Sequence, residues 1–179
     1  MNNIAVFCGS RLGNSEEIRT QIIKLVSLFA DSNCNLVYGG SKKGIMGIVA
    51  RVFVQHNRKI IGILPYRKLE NEKISNDLTS RICVNNLFER KMKMIELSNV
   101  FLILPGGVGT LDEMLEIIVS NRMKFTSKKV AIFNVQKYYE YFILQLNKMI
   151  ELGFLNSNIW DEIIIEESAE ELFLKLTLI

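Results

Sequence analysis

The run Val100-Phe101-Leu102-Ile103-Leu104 is apolar at every position and breaks directly into Pro105-Gly106-Gly107-Val108-Gly109-Thr110. A strand with one face in water alternates apolar and polar residues. A continuous run is buried on both faces, as in a parallel sheet covered by helices. Ile60-Ile61-Gly62-Ile63-Leu64 has the same character. The pattern predicts strands over residues 3–8, 35–38, 59–64, 80–84, 100–104, 129–134 and 162–166. Helix-length stretches lie between them, at 15–30, 45–56, 87–97, 110–123, 138–152 and 169–176. In the first of these, Ile18, Ile22, Leu25, Val26 and Phe29 recur at helical spacing, and Asn14-Ser15 before Glu16 and Glu17 supplies an N-cap with acids in the first turn. Repeated β–α units imply an α/β fold, a doubly wound parallel sheet of about seven strands with helices on both faces. No linker or repeat interrupts the 179 residues, so one domain spanning 1–179 is expected. The polar stretch 65–79 is expected to form a mobile loop or lid.

In such a sheet, ligands bind beyond the carboxyl ends of the strands, where the strand order reverses. Three strand-to-helix loops there are rich in glycine: 8–14 (Cys8-Gly9-Ser10 onward), 38–47 (containing Gly39, Gly40, Ser41, Gly44, Met46 and Gly47) and 105–110. Glycine lets the backbone turn sharply and approach a ligand, and a helix N-terminus presents free N–H groups and the positive end of its dipole. Phosphate suits such a place. The loops match neither G-x-x-x-x-G-K-[ST] nor G-x-G-x-x-G, which argues against a P-loop nucleotidase and a dinucleotide oxidoreductase.

Behind the third loop, Asp112, Glu113 and Glu116 occupy the first two turns of a helix, with Glu113 and Glu116 on one face. A carboxylate beside a phosphate is repelled by it and needs another purpose. Upstream, Arg90 and Lys91 open a helix near the same loops, where an arginine fork can hold phosphate or ribose.

Other features exclude function classes. The 22 basic and 19 acidic residues give a net charge of +3 without a basic stripe, so no nucleic-acid partner is expected. No apolar segment reaches the ~18 residues that span a bilayer, and Met1-Asn2-Asn3 does not open a signal peptide; a cytoplasmic protein without a membrane partner is expected. Cys8, Cys34 and Cys83 lack metal or redox spacing and read as buried free thiols, and His56 reads as a surface residue. No metal site and no cofactor are expected.

The residues also resemble a known family, the Lonely Guy (LOG) proteins, which are cytokinin riboside 5′-monophosphate phosphoribohydrolases long misannotated as lysine decarboxylases. Its P-G-G-x-G-T-x-x-E hallmark is complete from Pro105 to Glu113, its G-G-[GS]-x-x-G-[LI]-M-G signature spans Gly39 to Gly47, and its opening C-G-S is Cys8-Gly9-Ser10. The resemblance implies a Rossmann-like homodimer, with active sites near the dimer interface, that hydrolyses the N-glycosidic bond of nucleoside 5′-monophosphates. Carried over by position, Arg90 and Glu113 form the catalytic pair, and Gly106, Gly107, Val108, Gly109 and Thr110 hold the 5′-phosphate. Ser10, Gly40, Ser41 and Met46 line the nucleotide pocket, Glu72 lies near the ligand, and Lys91 and Glu116 are further substrate-binding candidates. The family's M-H-x-R-K is Leu87-Phe88-Glu89-Arg90-Lys91 here, and its I-T-W-A-Q is Ile118-Val119-Ser120-Asn121-Arg122. These changes fall where the base is expected, which moves the expected substrate from a cytokinin nucleotide toward AMP or another purine monophosphate. The alternative reading is a non-catalytic nucleotide sensor or a carrier of a phosphorylated cofactor of the molybdopterin type.

Overall fold

The computed structural model describes residues 3–66 and 74–177. Its strands are β1 (Asn3–Phe7), β2 (Asn35–Tyr38), β3 (Ile60–Pro65), β4 (Ser80–Val84), β5 (Val100–Ile103), β6 (Lys129–Phe133) and β7 (Ile163–Glu166). They form one sheet in the order β4-β3-β2-β1-β5-β6-β7, and every neighbouring pair is parallel. The helices are α1 (Glu16–Asp31), α2 (Gly44–Gln55), α3 (Leu87–Leu97), α4 (Val108–Arg122), α5 (Glu140–Glu151), α6 (Ile159–Glu162) and α7 (Ala169–Thr177).

The continuous apolar runs have a direct cause. Along β1, Ile4 and Val6 pack into a core with Phe29 of α1, Phe53 of α2 and Leu172 of α7. The alternate residues Ala5 and Phe7 enter a second core with Met94 of α3, Ile117 of α4 and Leu146 of α5. Leu102 and Phe101 of β5 divide between the same two cores. Central strands such as β1 and β5 therefore need apolar side chains at consecutive positions. The sheet is the expected doubly wound, Rossmann-like one.

The chain steps outward from β1 through β2 and β3 to β4, then crosses back to lay β5 along the other side of β1. This reversal separates the connections leaving β1 and β5 and opens a crevice at their carboxyl ends. Phe7 pairs with Ile103 at that end, so the first and third glycine loops emerge side by side.

Some elements differ from expectation. Helix α4 starts at Val108, with Gly107 as its extended N-cap, so the glycine loop already contains the first helical turn. Helix α5 starts at Glu140, because the chain first makes a 3-10 turn over Val135–Lys137. The four-residue α6 is too short to show periodicity and was not expected. In the polar stretch, Pro65 ends β3 and Ser41 pairs with Ile74 in an isolated antiparallel bridge; residues 67–73 lie outside the described residues. Among the described residues, no helix is long and apolar enough to cross a membrane.

Candidate active site

A cleft of about 800 Å³ opens where the order of the strands reverses. This volume lies within the range of small-molecule sites. Its wall comes from the loop after β1, the start of α2, the start of α3 and the loop leading into α4. The loops are stitched together by main chain. Gly9 N donates to Pro105 O at 3.1 Å, and Met46 N donates to Gly9 O at 3.3 Å. Glycine is required at these crossings. A Cβ on Gly44, whose φ is +59°, would lie 2.2 Å from the Ser10 carbonyl carbon, and one on Gly106 would lie 2.8 Å from Gly9 N.

One end of the cleft is built for an anion. Gly107 caps α4 without a side-chain hydrogen bond, so no capping side chain serves the N–H groups of the first turn. Unserved N–H groups at the positive end of a helix dipole attract phosphate. Thr110 is buried, with its Oγ1 so close to Gly106 that a Cβ there would approach within 2.1 Å. Thr110 thus holds the loop tight and faces the cleft. Ser10 and Arg11 reach the same wall from the loop after β1.

The other chemical feature is an arginine beside a glutamate. Asn86 Oδ1 accepts from Glu89 N at 2.8 Å, and Glu89 returns a carboxylate oxygen to Asn85 N at 2.9 Å. These reciprocal bonds fix the first turn of α3 and hence the direction of Arg90. Arg90 Nε donates to Ile63 O of β3 at 3.1 Å, and its Nη1 lies 3.9 Å from Glu113 Oε1. Both side chains are largely shielded, at 11% and 17% exposure, yet both line the cleft. Cys8 lies close by. Burial, and then the Glu113 charge, push its thiol up against the opposing pull of Arg90. A thiol so raised stays protonated near neutral pH and is no nucleophile.

The structure therefore brings Ser10, Met46, Arg90, Gly106, Gly107, Val108, Gly109, Thr110 and Glu113 to one cleft. Gly40, Ser41, Lys91 and Glu116 are not in its wall. Gly40 packs against the Leu64 side chain beneath the loop, and the Ser41 hydroxyl is buried, accepting from Lys43 N. Lys91 is one helical step, about 100°, from Arg90, so it faces α4 and forms ion pairs with Asp112 at 3.0 Å and Glu116 at 2.8 Å. Although burial opposes its charge, those two carboxylates raise the Lys91 pKa. Lys91 and Glu116 thus brace two helices beside the cleft. Glu72 lies outside the described residues.

The expected base-side positions also fall elsewhere. Phe88 is 62% exposed on α3, about 200° around the helix from Arg90. Ser120 is buried under α4, about 10 Å along the helix from Glu113. His56 caps the end of α2, with Nδ1 2.8 Å from Val52 O, and takes no part in the cleft. Cys8 and Cys34 are buried as expected, whereas Cys83 is only half-buried. Arg11, Leu12, Asn14 and Tyr138 line the cleft without having been expected there. The first three belong to the glycine loop 8–14; nothing near Tyr138 marks it. Among the described residues, no group of three or more His, Cys, Asp or Glu is placed to hold a metal ion.

The family described as "Possible lysine decarboxylase" matches residues 46–176. The chain is 34% identical over 173 residues to the Arabidopsis thaliana cytokinin riboside 5′-monophosphate phosphoribohydrolase LOG1, covering 97% of this chain and 81% of that one. The chain belongs to the LOG family. A probable LOG4 phosphoribohydrolase of Oryza sativa subsp. japonica is 33% identical, covering 99% of this chain and 77% of the relative. The X-ray structure of TM1055 superposes with a TM-score of 0.76 at 21% identity, covering 100% of both chains. The molybdenum cofactor binding protein of Rippkaea orientalis superposes with a TM-score of 0.68 at 20% identity, covering 94% of this chain and 91% of that one. At these identities the two structures share the fold with this LOG family member. The decarboxylase wording finds no support in the cleft, whose wall among the described residues contains no lysine for a Schiff base.

Proposed function

We propose that the protein hydrolyses the N-glycosidic bond of nucleoside 5′-monophosphates, releasing free base and ribose 5-phosphate, with AMP or another purine monophosphate as its substrate. The observation that carries this reading is the Arg90–Glu113 pair in the same cleft as the uncapped N-terminus of α4. Membership of a family of phosphoribohydrolases supports it.

The chemistry follows from the helix. Phosphate seated on the first N–H groups of α4 leaves the sugar pointing along the cleft. Glu113 is six residues beyond Gly107, about 9 Å along the axis, and helical side chains lean back toward the N-terminus. One ligand can therefore touch both. As the glycosidic bond breaks, positive charge develops on the sugar ring; the Glu113 carboxylate stabilises it and orients or deprotonates the attacking water. Arg90, held by Ile63 O, stabilises negative charge and keeps the carboxylate in place. A carrier of a phosphorylated cofactor gains nothing from a shielded carboxylate facing an anion, which disfavours that alternative.

Incubated with AMP, the purified protein should release adenine and ribose 5-phosphate, and should cleave adenosine far more slowly. A comparison with a cytokinin riboside monophosphate ranks the bases. Failure to release base from any nucleoside monophosphate would overturn the reading.

We further propose that the protein pairs with a second copy across α3 and α4. Leu87, Phe88 and Met92 on α3, Leu115 and Val119 on α4, and Met123 at the C-cap of α4 are 44% to 65% exposed. The last three recur every fourth residue and form one stripe. Sedimentation should return twice the 20.5 kDa chain mass, and Val119→Lys should return a monomer. A wild-type monomer at micromolar concentration excludes this pairing.

A further inference from the structure

Tyr138 lies on the cleft wall although it is 32 residues from the loop it touches. Its hydroxyl donates to Gly106 O at 2.6 Å, inside the glycine loop that leads into α4. The neighbouring Tyr139 is buried and donates to Leu104 O at 2.8 Å, two residues earlier on the same chain segment. Burial pushes the Tyr139 hydroxyl well up, so it remains a donor at neutral pH. Two adjacent phenols thus hold two carbonyls of one strand-to-helix turn.

The turn that delivers them is unusual. Gln136 and Lys137 both have positive φ, 51° and 55°, although neither is glycine. Consecutive left-handed residues cost free energy and persist only where surrounding structure enforces them. Here the buried Asn134 accepts from Tyr139 N at 2.7 Å, and Gln136 Oε1 accepts from the hydroxyl of Ser15, the N-cap of α1. The turn therefore bridges the start of α1 to the loop before α4.

An anion cradle has a particular need. Its N–H groups must face the ligand, and its carbonyls, which would repel a phosphate, must be turned away and satisfied. In a planar trans peptide the two point in opposite directions. Fixing the Gly106 carbonyl therefore also fixes the Gly107 N–H. Glycines on both sides of that peptide offer no side chain to hold it.

We propose that Tyr138 is a positioning residue for the phosphate end of the site, acting through the Gly106 carbonyl to set the orientation of the Gly106–Gly107 peptide. This inference rests on the nucleotide-hydrolase reading above. Tyr138→Phe removes the hydroxyl and keeps the ring. Because Tyr138 is 45% exposed, the unliganded protein should melt at the wild-type temperature. The dissociation constant for ribose 5-phosphate, measured by calorimetry, should rise roughly three- to tenfold, the worth of one hydrogen bond. The KM for AMP should rise by a similar factor, with kcat within twofold. Wild-type affinity for ribose 5-phosphate in Tyr138→Phe would overturn the inference, as would a fall in kcat with KM unchanged. A wild-type protein that neither binds ribose 5-phosphate nor cleaves any monophosphate would instead remove the underlying reading, and this inference with it.

Discussion

Glu113→Gln should yield a folded protein that binds AMP and scarcely cleaves it. The amide has nearly the same shape as the carboxylate, so the packing of α4 is undisturbed; the charge that faces the sugar is lost. General-base help and charge stabilisation by one side chain are together worth about 10²–10⁴ in rate. We therefore expect kcat to fall by about a thousandfold, roughly 4 kcal/mol, with KM within a few-fold of wild type. Removing a negative group near an anionic ligand should, if anything, strengthen ground-state binding. Steady-state kinetics with AMP, alongside calorimetry with ribose 5-phosphate, separates the two effects. Retention of more than a tenth of wild-type kcat would assign the chemistry to another group.

The second large effect is expected at Arg90, and it can be reached in two ways. Arg90 uses Nε on Ile63 O while presenting Nη1 to Glu113. These contacts are made by two nitrogens set apart on a rigid planar fork, and the single nitrogen of lysine cannot occupy both positions. Arg90→Lys should reduce kcat/KM by about a hundredfold or more, close to 3 kcal/mol. Gly39→Ala tests the same point without altering the arginine. Its methyl would lie 1.9 Å from Arg90 Nη2, so the guanidinium must shift. The obstructing atom is the far end of a long side chain, so the fold should survive while activity drops at least tenfold. If Gly39→Ala is fully active, the observed guanidinium position is not what catalysis requires.

The sequence makes some of this architecture plain and hides the rest for physical reasons. Strands such as Val100–Ile103 are legible because burial on both faces leaves no alternation to misread. Arg90, Glu113 and the Gly106–Thr110 loop are legible because their spacing along the chain is short and their chemistry specific. Gly40, Ser41, Lys91 and Glu116 lie outside the wall of the cleft, a placement the sequence hides because motif membership does not tell which way a residue turns once its helix or loop is docked. Lys91 is next to Arg90 in sequence and a third of a turn away in space, which is enough to give it to Asp112 and Glu116. Tyr138 is invisible for the opposite reason. Its partner Gly106 is distant in sequence, and the left-handed residues Gln136 and Lys137 that bring it there are not glycines. Only tertiary structure reveals that kind of contact.

The interlocked main chain beneath the cleft has a consequence for how this enzyme can change. Where a Cβ on Gly44 or Gly106 would strike backbone, no single replacement is small enough to be tried, so the floor is closed to gradual revision. Novelty in substrate choice must enter through the rim, where Arg11, Leu12, Met46 and Val108 present side chains to the opening. Mutational libraries aimed at a new substrate belong at those positions, and at the floor they will return inactive clones.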